Sequence, residues 1–251
     1  MIAMIFAAGK GQRLGVLSKY YQKCTLPVRG KPVLIHWLDA LESQLINIKP
    51  CVVVDYLSRQ VIDIVNIWSS AEAHNARIEI IQREARDKVW EDFTSYLRCE
   101  WNIRGRKREP VIFCLADNYS ISLGEIISDM LKHNDKPYST IGLIPTYECS
   151  KKTEDAIIGA RLENGLYKMI EYQTNIVDEG VWSAGTPGVE TALSCAGIGI
   201  FTPDSIELTK HCKTLPEALA LLSTAGMLYG FKIIQDYIDI GTPEHYSLVC
   251  R

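Results

Sequence analysis

The N-terminal half of the chain alternates short apolar runs with amphipathic segments. The apolar runs stop at turn residues, which predicts buried parallel strands at 2–6, 51–57, 77–82 and 111–117. Amphipathic segments predict helices at 32–42, from residue 58, at 89–101 and at 123–133. In the second of these helices, the apolar residues at i, i+3, i+4 and i+7 share one face: Val61, Ile64, Val65 and Trp68. Strand and helix alternating at this spacing predict right-handed crossovers and a mainly parallel sheet.

The second half of the chain has a different pattern. Strands are predicted at 140–148, 156–162, 166–173, 194–203 and 231–241, with a hairpin turn at 163–165 and helical segments at 205–212 and 216–225. No linker, repeat or low-complexity stretch interrupts the sequence. We therefore expect one domain over 1–251, a three-layer α/β sandwich with a mainly parallel, Rossmann-like central sheet. Its nucleotide end is expected in about 1–135, and its second-substrate end in about 136–251.

Composition excludes several classes of protein. The 27 basic and 30 acidic residues give a net charge of −3, which argues against a nucleic-acid or membrane-surface partner. No apolar run approaches the roughly 20 residues that cross a bilayer. The eight cysteines form no C-x-x-C pair, and the five histidines are dispersed. We expect buried free thiols in a cytoplasmic protein, and neither a zinc site nor a catalytic triad.

The segment AAGKGQRL, at 7–14, directly follows the first predicted strand. Its glycines allow backbone N–H groups to approach a phosphate, and Arg13 can add charge-assisted hydrogen bonds. The segment is not a Walker A loop, and Leu14 occupies the third position of a dinucleotide fingerprint. Taken alone, it could also be a turn that needs glycine only for backbone geometry.

Further motifs place this loop in a family. The segments QKCTLPVRGKP at 22–32, LADN at 115–118 and IDIGTPE at 238–244 follow it in order. Together they resemble the sugar-1-phosphate nucleotidyltransferases, such as glucose-1-phosphate thymidylyltransferases and mannose-1-phosphate guanylyltransferases. That family has AAG-x-G-[ST]-R-L and then P-K-P-x-L-P-[VI]-x-[GN]-K-P. Here Gln12 replaces the Ser or Thr, and Gln22 and Cys24 replace the two prolines around Lys23.

The resemblance implies a fold, a reaction and a set of site residues. The fold would be the GT-A-like nucleotidyltransferase fold. The enzyme would condense a nucleoside triphosphate with a sugar 1-phosphate to give a nucleotide sugar and pyrophosphate, with Mg²⁺. The implied residues are Arg13 and Lys23 for catalysis, Ala8, Gly9, Gly11 and Gln82 for the nucleotide, Gly159 and Glu171 for the sugar phosphate, and Asp117 and Asp239 for the metal. The sequence leaves the base, the sugar and a homo-oligomer open.

Two alternatives remain at this stage. The Gly-rich turn that the family carries after Gln82 is absent, and WEDFTSYL at 90–97 looks somewhat like a helix of choline-phosphate-type cytidylyltransferases. Tyr172 also replaces a family lysine. A cytidylyltransferase acting on choline phosphate or a polyol phosphate is therefore one alternative, although DIGTPE belongs to the sugar-phosphate branch. The other is a non-catalytic, nucleotide-binding regulatory relative. The basic run at 104–108 is interpreted as a solvated loop balanced by Glu100 and Glu109.

Overall fold

The structure described here is a computed structural model of the chain. The structure describes residues 1–44, 47–71, 74, 77–83, 89–133, 135–145, 155–163, 166–174, 189–190, 193–234 and 236–250, with backbone alone for 145, 155–163, 170–174 and 189–190. The chain divides into two compact units. The first comprises Met1–Arg86, Val111–Asp129 and Gln235–Arg251, and the second comprises Asp87–Pro110 and Met130–Ile234.

Strands and helices alternate through most of the chain. The strands are β1 (Ile2–Ala7), β2 (Pro27–Val28), β3 (Lys31–Pro32), β4 (Lys49–Val54), β5 (Glu79–Gln82), β6 (Val111–Leu115), β7 (Asn118–Tyr119), β8 (Ser139–Pro145), β9 (Asp155–Glu163), β10 (Leu166–Thr174), β11 (Val189–Glu190), β12 (Leu193–Phe201), β13 (Leu228–Lys232) and β14 (Ile238–Asp239). The helices are α1 (Val33–Glu42), α2 (Ser58–Ser70), α3 (Val89–Asn102), α4 (Leu123–Leu131), α5 (Pro203–Leu208), α6 (Leu215–Thr224) and α7 (Pro243–Val249). Two 3-10 segments, Gln12–Lys19 and Lys23–Thr25, lie between β1 and β2.

The first unit is built on parallel strands in the order β6, β1, β4, β5. Their register pairs Ala7 with Val54, Phe6 with Leu115, and Val54 with Gln82. All six residues of β1 are buried, as expected of a strand covered on both faces. Because the four strands run the same way and in this register, their carboxyl ends meet along one edge. Ligands of parallel α/β sheets usually bind at such an edge.

The apolar face of α1 anchors the helix in the core of this unit. Leu34, Trp37 and Leu38 have no exposed surface, and the Trp37 indole N–H donates to the carbonyl oxygen of Asn118 over 2.8 Å. Burying a tryptophan together with a satisfied N–H stabilises the fold by roughly 2–3 kcal/mol. The same hydrogen bond fixes the backbone directly after Asp117.

The second unit mixes parallel and antiparallel strands, in the order β11, β9, β10, β13, β8, β12. Strands β8 and β13 are parallel, and β10 is antiparallel to both β9 and β13. Trp90, Phe93 and Phe201 form an aromatic cluster in its core, with ring centroids 4.7–5.9 Å apart. The Trp90 indole N–H donates to the Thr209 carbonyl oxygen over 3.2 Å.

The predicted fold class is confirmed. The chain is mixed α/β, the first four predicted strands are present, and antiparallel pairing of β9 and β10 confirms the predicted hairpin. Residues 164 and 165 of its turn lie outside the described residues. The run 231–241, predicted as a single strand, instead forms the end of β13 and the separate β14. Ile233, Tyr237 and Ile240 are all buried, so the apolar pattern continues although the strand does not.

The basic run at 104–108 forms ion pairs rather than a free basic surface. Arg104 and Arg106 contact the two oxygens of the fully buried Glu100 carboxylate at 2.5 and 2.7 Å. Arg108 lies over the ring of Trp101. This agrees with a loop whose charges are balanced within the protein. Within the described ranges, no helix has the length and apolar character that a membrane span requires.

Candidate functional site

Several residues predicted for the nucleotide lie at the carboxyl edge of the first unit. Ala8 follows β1 and is half-buried, whereas Gly9 is exposed. Gln82 ends β5 and is also exposed. Asp117 follows β6 after one buried residue. The parallel register brings these four positions to one edge of the sheet.

The glycine loop contains two glycines with different structural requirements. Gly11 has φ 62° and ψ 28°, a left-handed conformation that favours glycine. A Cβ at this position would lie 2.8 Å from Lys23 Cγ, so a larger residue would also displace that side chain. Gly9 has no positive φ, and a Cβ there would meet no described atom within 4 Å. The fold therefore requires glycine at position 11, whereas none of the described atoms excludes a side chain at position 9.

Lys23 lies in the short 3-10 segment that follows the glycine loop. Its side chain is largely buried, and its Nζ donates to Asp117 Oδ2 over 2.6 Å. An ammonium group seldom becomes buried unless it is paired, and Asp117 provides the countercharge. The two residues predicted for catalysis and metal binding are thus in direct contact.

Arg13 forms a second ion pair with the other predicted metal ligand. Its guanidinium NH2 atom lies 3.0 Å from Asp239 Oδ2, and both side chains are more exposed than those of the first pair. The Gly241 backbone N–H donates to Asp239 Oδ1 over 2.7 Å. A Cβ at Gly241 would lie 2.7 Å from Asp239 Oδ1 and 2.9 Å from Arg13 NH2, so a larger residue would displace the ends of these two side chains.

The backbone holds the two aspartates next to each other. Strands β7 and β14 pair antiparallel, with Asp239 opposite Asn118, and the Ile240 N–H donates to the Asp117 carbonyl oxygen over 2.9 Å. The four side chains Arg13, Lys23, Asp117 and Asp239 carry two positive and two negative charges. The site is therefore electrically balanced by its own residues.

The donor set suits a magnesium ion. Mg²⁺ prefers oxygen ligands and is usually held by one or two carboxylates, with water and substrate phosphates completing its shell. Asp117 and Asp239 offer carboxylates that keep 25% and 35% of their side-chain surface exposed. Among the residues that the structure describes, no cluster of three or more His, Cys, Asp or Glu could hold a metal. A magnesium ion there would have to complete its shell with water or phosphate.

The residues predicted for the sugar phosphate lie in the second unit. Gly159 of β9 and Glu171 of β10 are directly opposite each other, at an irregularity in the register. Such irregularities re-aim side chains and are common next to active sites. The structure describes only the backbone here, so their contacts with a sugar phosphate stay a prediction.

The cysteine beside Lys23 is not a nucleophile. Burial raises the pKa of the Cys24 thiol far above its ordinary range, and the nearby Asp117 carboxylate raises it further. Burial has the same effect on the pKa of Cys114. The prediction of buried thiols holds for Cys24, Cys51 and Cys114, whereas among the other described cysteines Cys99, Cys195 and Cys212 are half-buried and Cys250 is exposed. Neutral, buried thiols pack as small apolar groups.

Sequence reasoning gave no role to two residues that shape this site. Gln22 hydrogen-bonds both to the glycine loop and to the turn that carries Lys23, although it was noted only as a departure from the family pattern. Gly241 packs against Arg13 and Asp239. The signal for Gly241 was its place two residues after Asp239. The sequence around Gln22, a polar residue between Tyr21 and Lys23, does not indicate that its side chain is buried. That burial depends on the tertiary fold.

Comparisons with known proteins agree with this architecture. One similar structure is that of a protein from Bacillus anthracis assigned as a glucose-1-phosphate thymidylyltransferase. The match covers 99% of this chain and 94% of the other chain, with a TM-score of 0.72 and 16% sequence identity. The match to a UDP-glucose pyrophosphorylase solved with UDP-glucose covers 99% of this chain and 96% of the other chain, with a TM-score of 0.69 and 18% sequence identity. HddC from Yersinia pseudotuberculosis matches 99% and 97%, with a TM-score of 0.65 and 18% identity.

Sequence comparison alone gives a much shorter match. The bifunctional protein GlmU of Methanocaldococcus jannaschii is 36% identical over 63 residues, which is 25% of this chain and 15% of that protein. No family model matches the chain. The structural matches, in contrast, cover nearly the whole chain in each case. The resemblance seen in the sequence is thereby confirmed at the level of the fold: the chain has the fold of the sugar-phosphate nucleotidyltransferases.

Proposed function

We propose that this protein transfers a nucleotidyl group from a nucleoside triphosphate to a sugar 1-phosphate. The observation that carries the proposal is the pairing of Lys23 with Asp117 and of Arg13 with Asp239, with the glycine loop against Lys23. Two cations and two carboxylates beside an open glycine backbone suit a substrate that is both anionic and metal-bound. The fold, shared with sugar-phosphate nucleotidyltransferases, supports the same reaction.

The reaction needs positioning and charge neutralisation more than covalent chemistry. A phosphate oxygen of the sugar 1-phosphate attacks the α-phosphorus and forms a new P–O bond. The bond from that phosphorus to the bridging oxygen breaks on the opposite side, and pyrophosphate leaves with the electron pair. Lys23 and Arg13 are assigned to hold the α-phosphate and the triphosphate chain, where negative charge must be compensated throughout the step.

Asp117 and Asp239 are assigned as the protein ligands of Mg²⁺. When bound, the metal neutralises phosphate charge and holds the phosphate oxygens in place. With metal and substrate bound, Asp117 and Asp239 would hold the metal, and Lys23 and Arg13 would bind phosphate oxygens in place of the carboxylates. Every charged group would then have a partner both before and after substrate binding.

The remaining predicted residues complete the assignment. Ala8, Gly9 and Gly11 present the loop backbone to the nucleotide, and Gln82, exposed at the end of β5, is assigned to the base. Gly159 and Glu171, opposite each other in β9 and β10, are assigned to the sugar.

The assay measures pyrophosphate released from each of the five common nucleoside triphosphates, with a panel of sugar 1-phosphates and with choline phosphate. Magnesium-dependent release with a sugar 1-phosphate supports the proposal. A requirement for CTP with choline phosphate would instead identify the cytidylyltransferase alternative. Nucleotide binding without release of pyrophosphate from any pair would identify a regulatory protein. A Lys31→Ala variant is the control, because Lys31 pairs with Asp39 and not with the proposed site.

A further inference from the structure

The Gln22 side chain joins three backbone segments around the proposed phosphate site. It is 2% exposed. Its Nε2 donates to the Ala7 carbonyl oxygen over 2.6 Å and to the Gly9 carbonyl oxygen over 3.1 Å. Its Oε1 accepts from the Cys24 N–H over 2.9 Å. One buried amide therefore ties the end of β1 and the glycine loop to the turn that carries Lys23.

Residue 24 takes part in this arrangement through its backbone. The hydrogen bond to Gln22 Oε1 requires an N–H at residue 24, which a proline would lack. Gln22 itself has φ −72°, an angle that a proline could adopt, but its own N–H donates to Gln60 Oε1 over 3.0 Å. The departures at positions 22 and 24 are thus linked: each supplies a hydrogen-bonding group that the prolines of the family pattern do not have.

Gln60 supports the same turn from α2. Its Oε1 accepts from the Gln22 N–H, and its Nε2 donates to the Tyr20 carbonyl oxygen over 2.6 Å. The two glutamines are therefore comparable in chemistry and close in space. Within the described residues, only the side chain of Gln22 hydrogen-bonds to Ala7 and Gly9 as well.

We infer that Gln22 is a positioning residue that sets the glycine loop and Lys23 in the relative geometry required by the triphosphate. This inference rests on the proposed function. Lys23 must reach the phosphates from one side of the site while the loop N–H groups approach from another. A displacement of about 1 Å between catalytic groups can cost roughly 100-fold in rate. A side chain that bonds to both segments prevents such a displacement.

The test compares Gln22→Met with Gln60→Met, because methionine keeps the length of glutamine and removes its hydrogen bonds. For Gln22→Met we expect faster amide exchange at 9–14 and 23–25, and kcat reduced about 10- to 100-fold. The KM for the sugar phosphate should change less than about 3-fold, since that substrate is assigned to other residues. For Gln60→Met, exchange at 9–14 and kcat should stay close to wild type.

A milder variant keeps the inference testable if Gln22→Met folds poorly. Gln22→Glu keeps an oxygen that accepts from the Cys24 N–H, and it replaces the amide N–H that donates to the Ala7 and Gly9 carbonyl oxygens with a carboxyl oxygen. Burial should raise the pKa of the introduced carboxyl. In its protonated form the introduced carboxyl can donate again, so the activity of this variant relative to wild type should be higher at about pH 6 than at about pH 8. If Gln22 only stabilised the fold, this pH dependence would appear in thermal unfolding of the variant, whereas the kcat of its folded form would follow the wild-type pH profile.

The outcomes separate this inference from the proposed function. If the wild-type enzyme is active, a normal kcat and unchanged amide exchange of the glycine loop in Gln22→Met would overturn the positioning role. Equal losses in both methionine variants would also overturn it, since they would report only a weakened turn. A wild-type protein that is inactive with every substrate pair would overturn the proposed function. The exchange data would then still decide whether Gln22 tethers the loop.

Discussion

Lys23 Nζ lies 2.6 Å from Asp117 Oδ2, although the two residues are 94 positions apart in the sequence. Their side chains keep only 11% and 25% of their surface exposed, against 64% and 35% for Arg13 and Asp239. Exposed ion pairs contribute about 0–1 kcal/mol to stability, whereas removing one partner of a buried pair costs considerably more. The two pairs should therefore respond differently to substitution.

We predict that Asp239→Asn and Asp117→Asn both abolish turnover, but that only the second measurably weakens the fold. Each substitution removes one of the two carboxylates proposed to hold the metal, so kcat should fall about 100-fold or more, with a smaller change in KM for the sugar phosphate. Asp117→Asn also leaves the buried Lys23 ammonium beside a neutral group, which should cost about 1–3 kcal/mol. Steady-state kinetics and thermal unfolding measure the two effects. Near-wild-type activity of Asp239→Asn would falsify the two-carboxylate site.

Lys23→Ala should lower kcat about 100- to 1,000-fold, because it removes a cation from the phosphate-binding edge. Lys31→Ala is the matched substitution, since Lys31 is exposed and pairs with Asp39 on α1. It should leave kcat within about 2-fold of wild type. The same pyrophosphate assay serves both variants. If the two lysine variants lose activity equally, Lys23 has no special place in the reaction.

The two glycines of the loop should separate folding from ligand binding. Gly11→Ala should lower the free energy of unfolding by about 1–2 kcal/mol, because its backbone is left-handed and its neighbour is Lys23 Cγ. Gly9→Ala should unfold at the wild-type temperature, yet lower kcat/KM for the nucleotide about 10-fold by obstructing the loop backbone. Unfolding and kinetics are measured on both variants. A fully active Gly9→Ala would show that no phosphate approaches this residue closely.

Metal binding should depend strongly on the nucleotide. Arg13 and Lys23 already neutralise Asp117 and Asp239, so Mn²⁺ alone should bind weakly. A non-hydrolysable triphosphate draws the two cations away and should tighten Mn²⁺ binding about 10-fold or more. Arg13→Ala should tighten Mn²⁺ binding without nucleotide, because Asp239 loses its competing partner. Electron paramagnetic resonance of free Mn²⁺ measures both effects. Tight binding of Mn²⁺ to the wild type without nucleotide would contradict this coupling.

Thiol reactivity should follow burial. Cys250 is exposed and should react at once with a thiol reagent at about pH 8, whereas Cys24 and Cys114 should react only on unfolding. Because burial raises the pKa of both thiols, they stay protonated in the folded state and ionise in the unfolded state. Their contribution to stability is full below the unfolded pKa, about 8.5, and is lost as the pH rises above it. Cys114→Ala should reduce this alkaline loss in thermal unfolding. An unchanged alkaline loss would exclude Cys114 as its source.

The sequence indicated which residues the structure brings together better than it indicated which of them form ion pairs. The resemblance pointed to Arg13, Lys23, Asp117 and Asp239, and the strands before Ala8 and Asp117 could be recognised from continuous apolar runs. Which cation pairs with which carboxylate depends on how β14 meets β7. Strand β14 has only two residues, and no periodicity can be detected over that length. The role of Gln22 was hidden for a related reason, since its partners are carbonyl oxygens up to 15 residues away.

The pairing of Arg13 with Asp239 also determines when the site can form during synthesis. The two residues are 226 positions apart, so a growing chain holds Arg13, Lys23 and Asp117 long before the second carboxylate exists. Contacts of such separation form late in folding because closing a long loop costs entropy. A partly synthesised chain would carry one more cation than carboxylate at this edge and could bind anions without the metal ligands needed for turnover. If the proposed function holds, turnover requires that residue 239 has left the ribosome and that β14 has paired with β7.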